Sequence, residues 1–376
     1  MTPPTHRDPA ATRDAFAQAR RTGLRAKEAA EAIGLTEGAA LAAFVGQDIP
    51  DFHALPVLTP LAVYPLQAPW LPLLQSLQAC GPVMALTRNE TTVHEKTGVY
   101  QRVSGNEAMG LVLGGDIDLR LFLGRWASGL LVVEPGAASD VHAKTSLQFF
   151  DERGVAVHKV FPVQTTDGQA WHTLLAASVD LSQHLDFDPG LQPLQAPYGD
   201  QVADPSAFAK DWAAMTDTHQ FFGLLKKHDV QRLPALATVQ GRFTRPVAPA
   251  ALRFALYQAA FNGQSIMVFV GNPGCIQIHT GAVRRIEPLE MYGKRWLNVL
   301  DPGFNLHLRE DLIDQVWVVE KPTEDGIVSS LEVFDAQGQV MVMLFGERKP
   351  GQAEQQGWKD LLAEIPTLQT VSEVTA

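Results

Sequence analysis

The chain has 376 residues, 46% of them hydrophobic, and carries 30 Lys and Arg against 41 Asp and Glu for a formal net charge of −11. That length suggests about two or three domains, the apolar share is that of a globular protein with real cores, and the acidic balance argues against a general nucleic-acid surface. Two cysteines, Cys80 and Cys275, make no disulfide framework and fit a reducing compartment, while the start MTPPTHRDPAATRDAF lacks an apolar h-region and no run of 18 apolar residues exists to span a membrane.

Residues 11–46 are alanine-rich and read as helical. RAKEAAEAIGLTEGAALAAF has the outline of a helix-turn-helix with Gly34 at the turn, but its second helix, EGAALAAF, has no Arg or Lys to read bases. From residue 81 to 165 the pattern turns to strands. Ile117, Leu119, Leu121 and Leu123 alternate with Asp118, Arg120 and Phe122, and LLVVE, SLQFFD and AVHKVF follow, with Glu152-Arg153-Gly154 as a hairpin turn. The segment 185–208, rich in Pro, Gly and Asp, reads as a linker, centred on about 185–205. A helix over 206–228 follows, with Asp204 as its cap and Pro205 at its first position. LNVLD, FNLHL, QVWVVE, SLEVFD and VMVMLFG are further strands, and RKPGQAEQQGW leads into a short C-terminal helix. Strands separated by short turns imply antiparallel meanders.

The chain says nearly the same thing twice. SLQFFDERG (146–154) recurs as SLEVFDAQG (330–338), MALTRN (84–89) as MVFVGN (267–272), Thr97-Gly98-Val99 as Thr280-Gly281-Ala282, and IDLRL (117–121) as FNLHL (304–308), at offsets that stay between 183 and 187. This is a tandem duplication of a unit of roughly 180 residues, too long for a solenoid repeat. The expected fold is α+β, with an N-terminal repeat over 1–198 and a C-terminal repeat over 199–376. The interface of such a pair is a favoured place for a ligand.

On the helix 206–228, Phe208, Trp212, Met215, His219 and Phe222 fall on one stripe, which puts His219 on an apolar face. Two readings stay open: a buried histidine bonded to a backbone carbonyl, or a ligand to a metal in an apolar pocket, for which haem iron is the obvious case. Arg120 sits on the strand face opposite the leucines, and the matching pleat position in the second copy is His307. Arg232, Lys321 and Arg348, each expected to be solvated if taken alone, could together hold a dianion such as two propionates. No P-loop, G-x-S-x-G, H-E-x-x-H or C-x-x-C occurs, Tyr100 and Asp211 show no evident partners, and the remaining histidines lack metal-ligand spacing.

The segments MALTRNETTVHEKTGVY, IDLRLFLGRWASG, MTDTHQFFGLLKKH, IMVFVGNPGCIQIHTG, NVLDPGFNLHLRE, EKPTEDGIVSSLEVFD and GERKPGQAEQQGW, in order between about residues 14 and 364, resemble the cytoplasmic haemin-degrading or haem-trafficking factors of bacterial haem-uptake operons, the HemS/HmuS type. The resemblance implies a duplicated fold, each half a large antiparallel sheet with helices packed to one side, and haem bound in a cleft between the halves. It further implies His219 as the axial ligand, Arg120 on the other side of the haem in a catalytic role, and Arg232, Lys321 and Arg348 on the propionates. Two positions depart from the family pattern: Glu320, where a basic residue is usual, and Phe345, where Tyr is usual. Three functions compete. The first is a cytoplasmic haem carrier that receives haem after import and passes it to a haem oxygenase. The second is a haem-degrading enzyme fed electrons by an external reductase, since no flavin or NAD(P) fingerprint appears. The third is a helix-turn-helix regulator using residues 24–46. Whether the protein is a monomer or a dimer does not follow from the sequence.

Overall fold

The computed structural model describes residues 8–46, 48–53, 60–135, 144–188, 198–291, 293–348 and 351–368. The core of the expected linker, residues 189–197, lies outside the described residues. The chain forms two compact units. Unit 1 comprises residues 1–88, 95–193 and 272–277, and unit 2 comprises residues 89–94, 194–271 and 278–376.

Unit 1 opens with α1 (Pro9–Arg21), α2 (Ala26–Ala32) and α3 (Glu37–Ala42). Then come β1 (Ala62–Pro65), α4 (Trp70–Ser76), β2 (Val83–Arg88), β3 (Thr92–Gly98), β4 (Val103–Gly105), β5 (Gly110–Val112), β6 (Asp118–Leu121), β7 (Ser128–Glu134), β8 (Lys144–Phe150), β9 (Ala156–Pro162) and α5 (Gly168–Ser178). Unit 2 runs α6 (Pro205–Ala213), α7 (Gln220–Lys227), α8 (Arg232–Thr238), β10 (Thr244–Val247), α9 (Ala251–Asn262), β11 (Ser265–Asn272), β12 (Cys275–Ala282), β13 (Ile286–Met291), β14 (Lys294–Asp301), β15 (Phe304–Arg309), β16 (Gln315–Thr323), β17 (Gly326–Phe334), β18 (Val340–Gly346) and α10 (Gln356–Ala363).

The duplication is explicit in the strand order. The first repeat pairs its strands β1-β7-β8-β9-β2-β3, with β4-β5-β6 as a separate run; the second pairs β10-β16-β17-β18-β11-β12, with β13-β14-β15. Neighbours are antiparallel, as the short turns predict. The likeness extends to irregularities. β8 shifts register between Phe149 and Phe150, and β17 does so between Val333 and Phe334. The turns that follow are built alike: Asp151 Oδ1 accepts from the N–H groups of Arg153 and Val155 at 3.0 and 2.8 Å, and Asp335 Oδ1 from those of Gln337 and Gln339 at 2.9 Å each. Gly154 and Gly338 end these turns at φ of 78° and 72°, a region that disfavours any side chain.

In unit 1 the main core lies between the sheet and α4 and α5, with Leu131, Val133, Leu147, Phe149, Leu74 and Trp171 buried together. Leu130, Val132 and Phe150 belong to a smaller cluster with α1–α3, so β7 reads as an unbroken apolar run. Unit 2 repeats this. Val316, Val318, Leu331 and Val333 pack with α9 and α10, while Trp317, Val319 and Phe334 pack with α6–α8. Buried indoles find oxygen partners: Trp171 donates to Thr145 Oγ1 at 2.8 Å, Trp212 to the Glu320 carbonyl at 2.9 Å and Trp358 to the Ser329 carbonyl at 3.0 Å. No described helix is long and apolar enough to cross a membrane.

Candidate functional site

One sheet face of unit 2 gathers most of the candidate residues. Residues opposite one another on neighbouring strands share a face. Glu332 lies opposite Met343, Ser330 opposite Phe345, Met343 opposite Phe269, and Phe345 opposite Met267. Helices α6–α8 cover the part of this face near Trp317, Val319 and Phe334. Past their edge, Met267, Phe269, Met343 and Phe345 stay half-buried, and the rings of Phe269 and Phe345 meet at 4.9 Å and 57°. The result is an apolar, aromatic platform on an otherwise well-covered sheet. Phe345, a departure from the family pattern, contributes a ring to it.

His219 requires a correction. The expected helix 206–228 is two helices, and the stripe does not continue through His219. Asp204 caps α6, accepting from the N–H groups of Ser206 and Ala207 at 3.0 and 2.9 Å, but the helix ends at Ala213. Thr216, Asp217 and Thr218 follow, residue types whose side chains compete for nearby backbone groups. Gln220 Oε1 accepts from the Thr216 N–H at 2.9 Å, and the Thr216 carbonyl accepts from the Glu324 N–H at 2.9 Å, which ties the turn to the β16–β17 hairpin. Phe208, Trp212 and Met215 are buried as expected, but the register then slips: Phe221 is buried and Phe222 is 67% exposed. His219 stands at the N-cap of α7 with its side chain 86% exposed.

That exposure settles the two sequence readings against a buried, carbonyl-bonded histidine. Asp217 Oδ1 accepts from the His219 backbone N–H at 2.8 Å and lies 2.7 Å from ring Nδ1. These hydrogen bonds, the backbone one foremost, hold the Asp217 carboxyl below the usual carboxylate range. An ionised carboxylate cannot donate, so Nδ1 carries the proton and the lone pair is on Nε2. A carboxylate behind a histidine is the arrangement that orients an imidazole for metal ligation and raises its basicity.

Arg232 and Lys321 are not solvated cations. Arg232 grips Glu332 with two hydrogen bonds, Nε to Oε2 at 2.6 Å and Nη2 to Oε1 at 2.8 Å. Lys321 Nζ reaches Glu332 Oε1 at 2.8 Å, and Ser330 Oγ donates to the same oxygen at 3.1 Å. Glu332 is 0% and Lys321 3% exposed. Burial alone would raise the Glu332 carboxyl, yet Arg232 and Lys321 outweigh it and hold the group well below its ordinary value. Burial lowers Lys321, and Glu332 opposes the change. Both cations also sit over the Phe221 ring, at 4.9 and 4.6 Å from its centre. The sequence suggested neither the burial nor the partner.

Arg348 differs from these two. Its Nη1 is buried and makes no hydrogen bond among the described residues, and its charge helps to hold Asp217 ionised. Of the three candidate carboxylate-binding residues, it has an unmet buried donor. Glu320, the other departure from the family pattern, points away from this face. Strand alternation puts it opposite to Lys321, where it is exposed and feels the charge of Arg245.

In unit 1, Arg120 lies on β6 between buried Leu119 and Leu121, about one-third exposed and paired with Asp118. Its repeat counterpart His307 bonds Asn298 Oδ1 through Nδ1 at 2.8 Å. Two residues without evident partners in the sequence have them in the fold. Tyr100 OH lies 2.6 Å from His158 Nε2, and Asp211 pairs with His228 at 2.6 Å and Lys227 at 2.7 Å. Sequence reasoning missed Asp217, Glu332 and the platform residues Met267, Phe269 and Met343. A usable signal existed for Glu332: the repeat places it where the first copy has Gln148.

Comparison with known proteins gives the family and the fold likeness. The haemin-degrading HemS.ChuX domain matches the chain twice, over residues 48–178 and 229–365. The chain is 36% identical over 353 residues to the hemin transport protein HmuS of Yersinia pestis, covering 93% of this chain and 95% of that one. It is 40% identical over 298 residues to the hemin transport protein HemS of Yersinia enterocolitica, covering 78% and 83%. Among solved structures, holo-PhuS, a heme-binding protein from Pseudomonas aeruginosa, matches with a TM-score of 0.86 at 40% identity, covering 96% of this chain and 100% of that one. ChuS, an E. coli heme oxygenase, matches with a TM-score of 0.80 at 33% identity, covering 94% and 99%.

Proposed function

The chain belongs to the haemin-degrading HemS.ChuX domain family, and we propose that it binds haem in the cytoplasm during haem uptake and delivers it onward, with oxidative degradation as the second activity to be tested. Haem here is cargo. The observation that carries this reading is His219, an exposed imidazole whose Nδ1 is fixed by Asp217 so that Nε2 presents a lone pair. An imidazole nitrogen of this kind is a standard axial ligand for haem iron. Other side chains of unit 2 suit a flat amphiphilic ligand. Phe269, Phe345, Met267 and Met343 offer the apolar platform, and Arg348 offers an unmet donor to a propionate. Arg232 and Lys321 reach the ligand carboxylates mainly through their field, since their hydrogen bonds go to Glu332.

The partners that follow are a haem importer upstream and a haem oxygenase, or a reductase, downstream. Carrier and enzyme separate in one experiment. The haemin complex is followed by absorbance from anaerobic to aerobic conditions, with a reductase or ascorbate as electron source and catalase present to remove free peroxide. A carrier keeps its Soret band and passes haem to an added haem oxygenase. Decay of that band to a bilin-like product with release of iron makes the protein an enzyme. If no haemin complex forms at all, the function proposed here is wrong.

Arg120 has a separate test. Arg120→Ala should leave haemin binding largely intact and alter the sixth-coordination state, read by electron paramagnetic resonance. Loss of all binding would instead make Arg120 part of the structural support.

A further inference from the structure

We propose that Glu332 is an internal counter-carboxylate that occupies the Arg232–Lys321 cation pair and sets how readily the site releases an anionic ligand. The proposal rests on the haem reading above for the ligand's identity.

Three observations carry it. First, the clamp is half open. Arg232 uses Nε and Nη2 on Glu332 while its side chain remains one-quarter exposed, and Nη1 takes no part in the clamp. Lys321, 3% exposed, does not leave its place, and its positive charge is spent on Glu332. Second, the clamp adjoins the platform: Glu332 lies opposite Met343 on the sheet, and Arg232 Nη2 is 3.2 Å from Met343 Sδ. Phe221, two residues beyond His219, has both cations against its ring. Third, the repeat shows that the sheet position does not demand a carboxylate. The first copy has Gln148 where the second has Glu332, and Gln148 Nε2 simply donates to Ser146 Oγ at 2.9 Å. The strand register that matches Gln148 to Glu332 matches Glu134, paired with Arg20, to Lys321.

The physical consequence is a balance of charge. One buried cation, one part-exposed cation and one buried carboxylate leave one net positive charge beside the platform. Interior charges are poorly screened, so this balance acts on a dianionic ligand with little attenuation by salt. A bare cation pair would hold a dicarboxylate tightly and give it up slowly. Glu332 weakens that hold while keeping Lys321 and Arg232 paired, which suits a protein that must hand its cargo on.

The test is haemin dissociation into excess apomyoglobin, measured on the full chain. Glu332→Gln should slow release about tenfold, and Glu332→Asp should restore it. Lys321→Met should speed release about tenfold, and Lys321→Met with Glu332→Gln, which returns the balance to one positive charge, should release at close to the unmodified rate. Glu37→Gln is the control, because Glu37 is a buried carboxylate clamped by Lys159 and Arg88 in unit 1, and it should leave release unchanged. Should Glu332→Gln fail to fold, the Lys321→Met and double variants still decide. A Glu332→Gln rate equal to the unmodified rate overturns the proposal. So does a double variant as fast as Lys321→Met, since Lys321 would then act on the ligand directly. If the unmodified protein takes up no haemin, the functional reading falls first and this inference with it.

Discussion

His219→Ala should lower haemin affinity about a hundredfold or more and shift the Soret band, while leaving the melting temperature nearly unchanged. The two halves of this expectation have different sources. The side chain is 86% exposed and belongs to no hydrophobic cluster, so its loss removes no packing. Its one side-chain bond, to Asp217 at 2.7 Å, is exposed and contributes little to stability in water. The ligand bond is another matter, because the Phe269 and Phe345 rings of the platform supply no donor to iron. Partners behind a metal ligand typically cost about 10–100-fold in affinity when removed, so the ligand itself should cost at least the upper end. Asp217→Ala gives the graded comparison. It keeps the imidazole but removes the acceptor that fixes the Nδ1–H tautomer, and it should cost about tenfold. An unchanged Soret spectrum in His219→Ala would remove His219 as the ligand and direct attention to other histidines.

What the sequence made legible here follows from range of interaction. The duplication, the alternation of Ile117, Leu119 and Leu121, and the Asp204-Pro205 helix start are local patterns, and the fold contains each of them. The helix break before His219 was hidden because the apolar spacing of Phe208, Trp212 and Met215 runs on by coincidence to His219 and Phe222. Turn chemistry in Thr216-Asp217-Thr218 overrode that periodicity. Lys321 and Arg232 could not be read as buried, because the partner that allows it, Glu332, is 100 residues from Arg232 and meets it only through the sheet. Glu320 misled for the opposite reason. It is adjacent to Lys321 in sequence, yet strand alternation sends it to the other face.

The largest pH effect on stability is expected from His158, in unit 1. The residue is 1% exposed and sits in a closed relay. Thr87 Oγ1 donates to Cys275 Sγ at 3.3 Å, which leaves Thr87 Oγ1 to accept from His158 Nδ1 at 2.9 Å. His158 Nε2 then accepts from Tyr100 OH at 2.6 Å. Burial raises the Tyr100 phenol well above its usual value and pushes the Cys275 thiol up to about 12, so both stay protonated. A second proton on His158 would have to enter at Nε2, facing the Tyr100 donor, with no carboxylate to offset it. Burial accordingly lowers the His158 pKa from 6.5 to about 3. The second copy fills the matching positions with Val270, Val283 and Val342, so the relay belongs to unit 1 alone. Because the folded pKa lies below the unfolded one, the unfolded state takes up the proton first. The stability contribution is complete above about pH 6.5 and is lost as pH falls towards 3, by about 5 kcal/mol in all and about 2 kcal/mol by pH 5. Glu37 and Glu332, both held below the usual range, lose their contributions only under more acid conditions. Urea unfolding at pH 7.5 and pH 5 should therefore show the unmodified protein losing about 2 kcal/mol of its advantage over His158→Gln. A difference that stays constant across that range would mean that His158 takes its proton as readily in the fold as out of it, and that the relay is open to water.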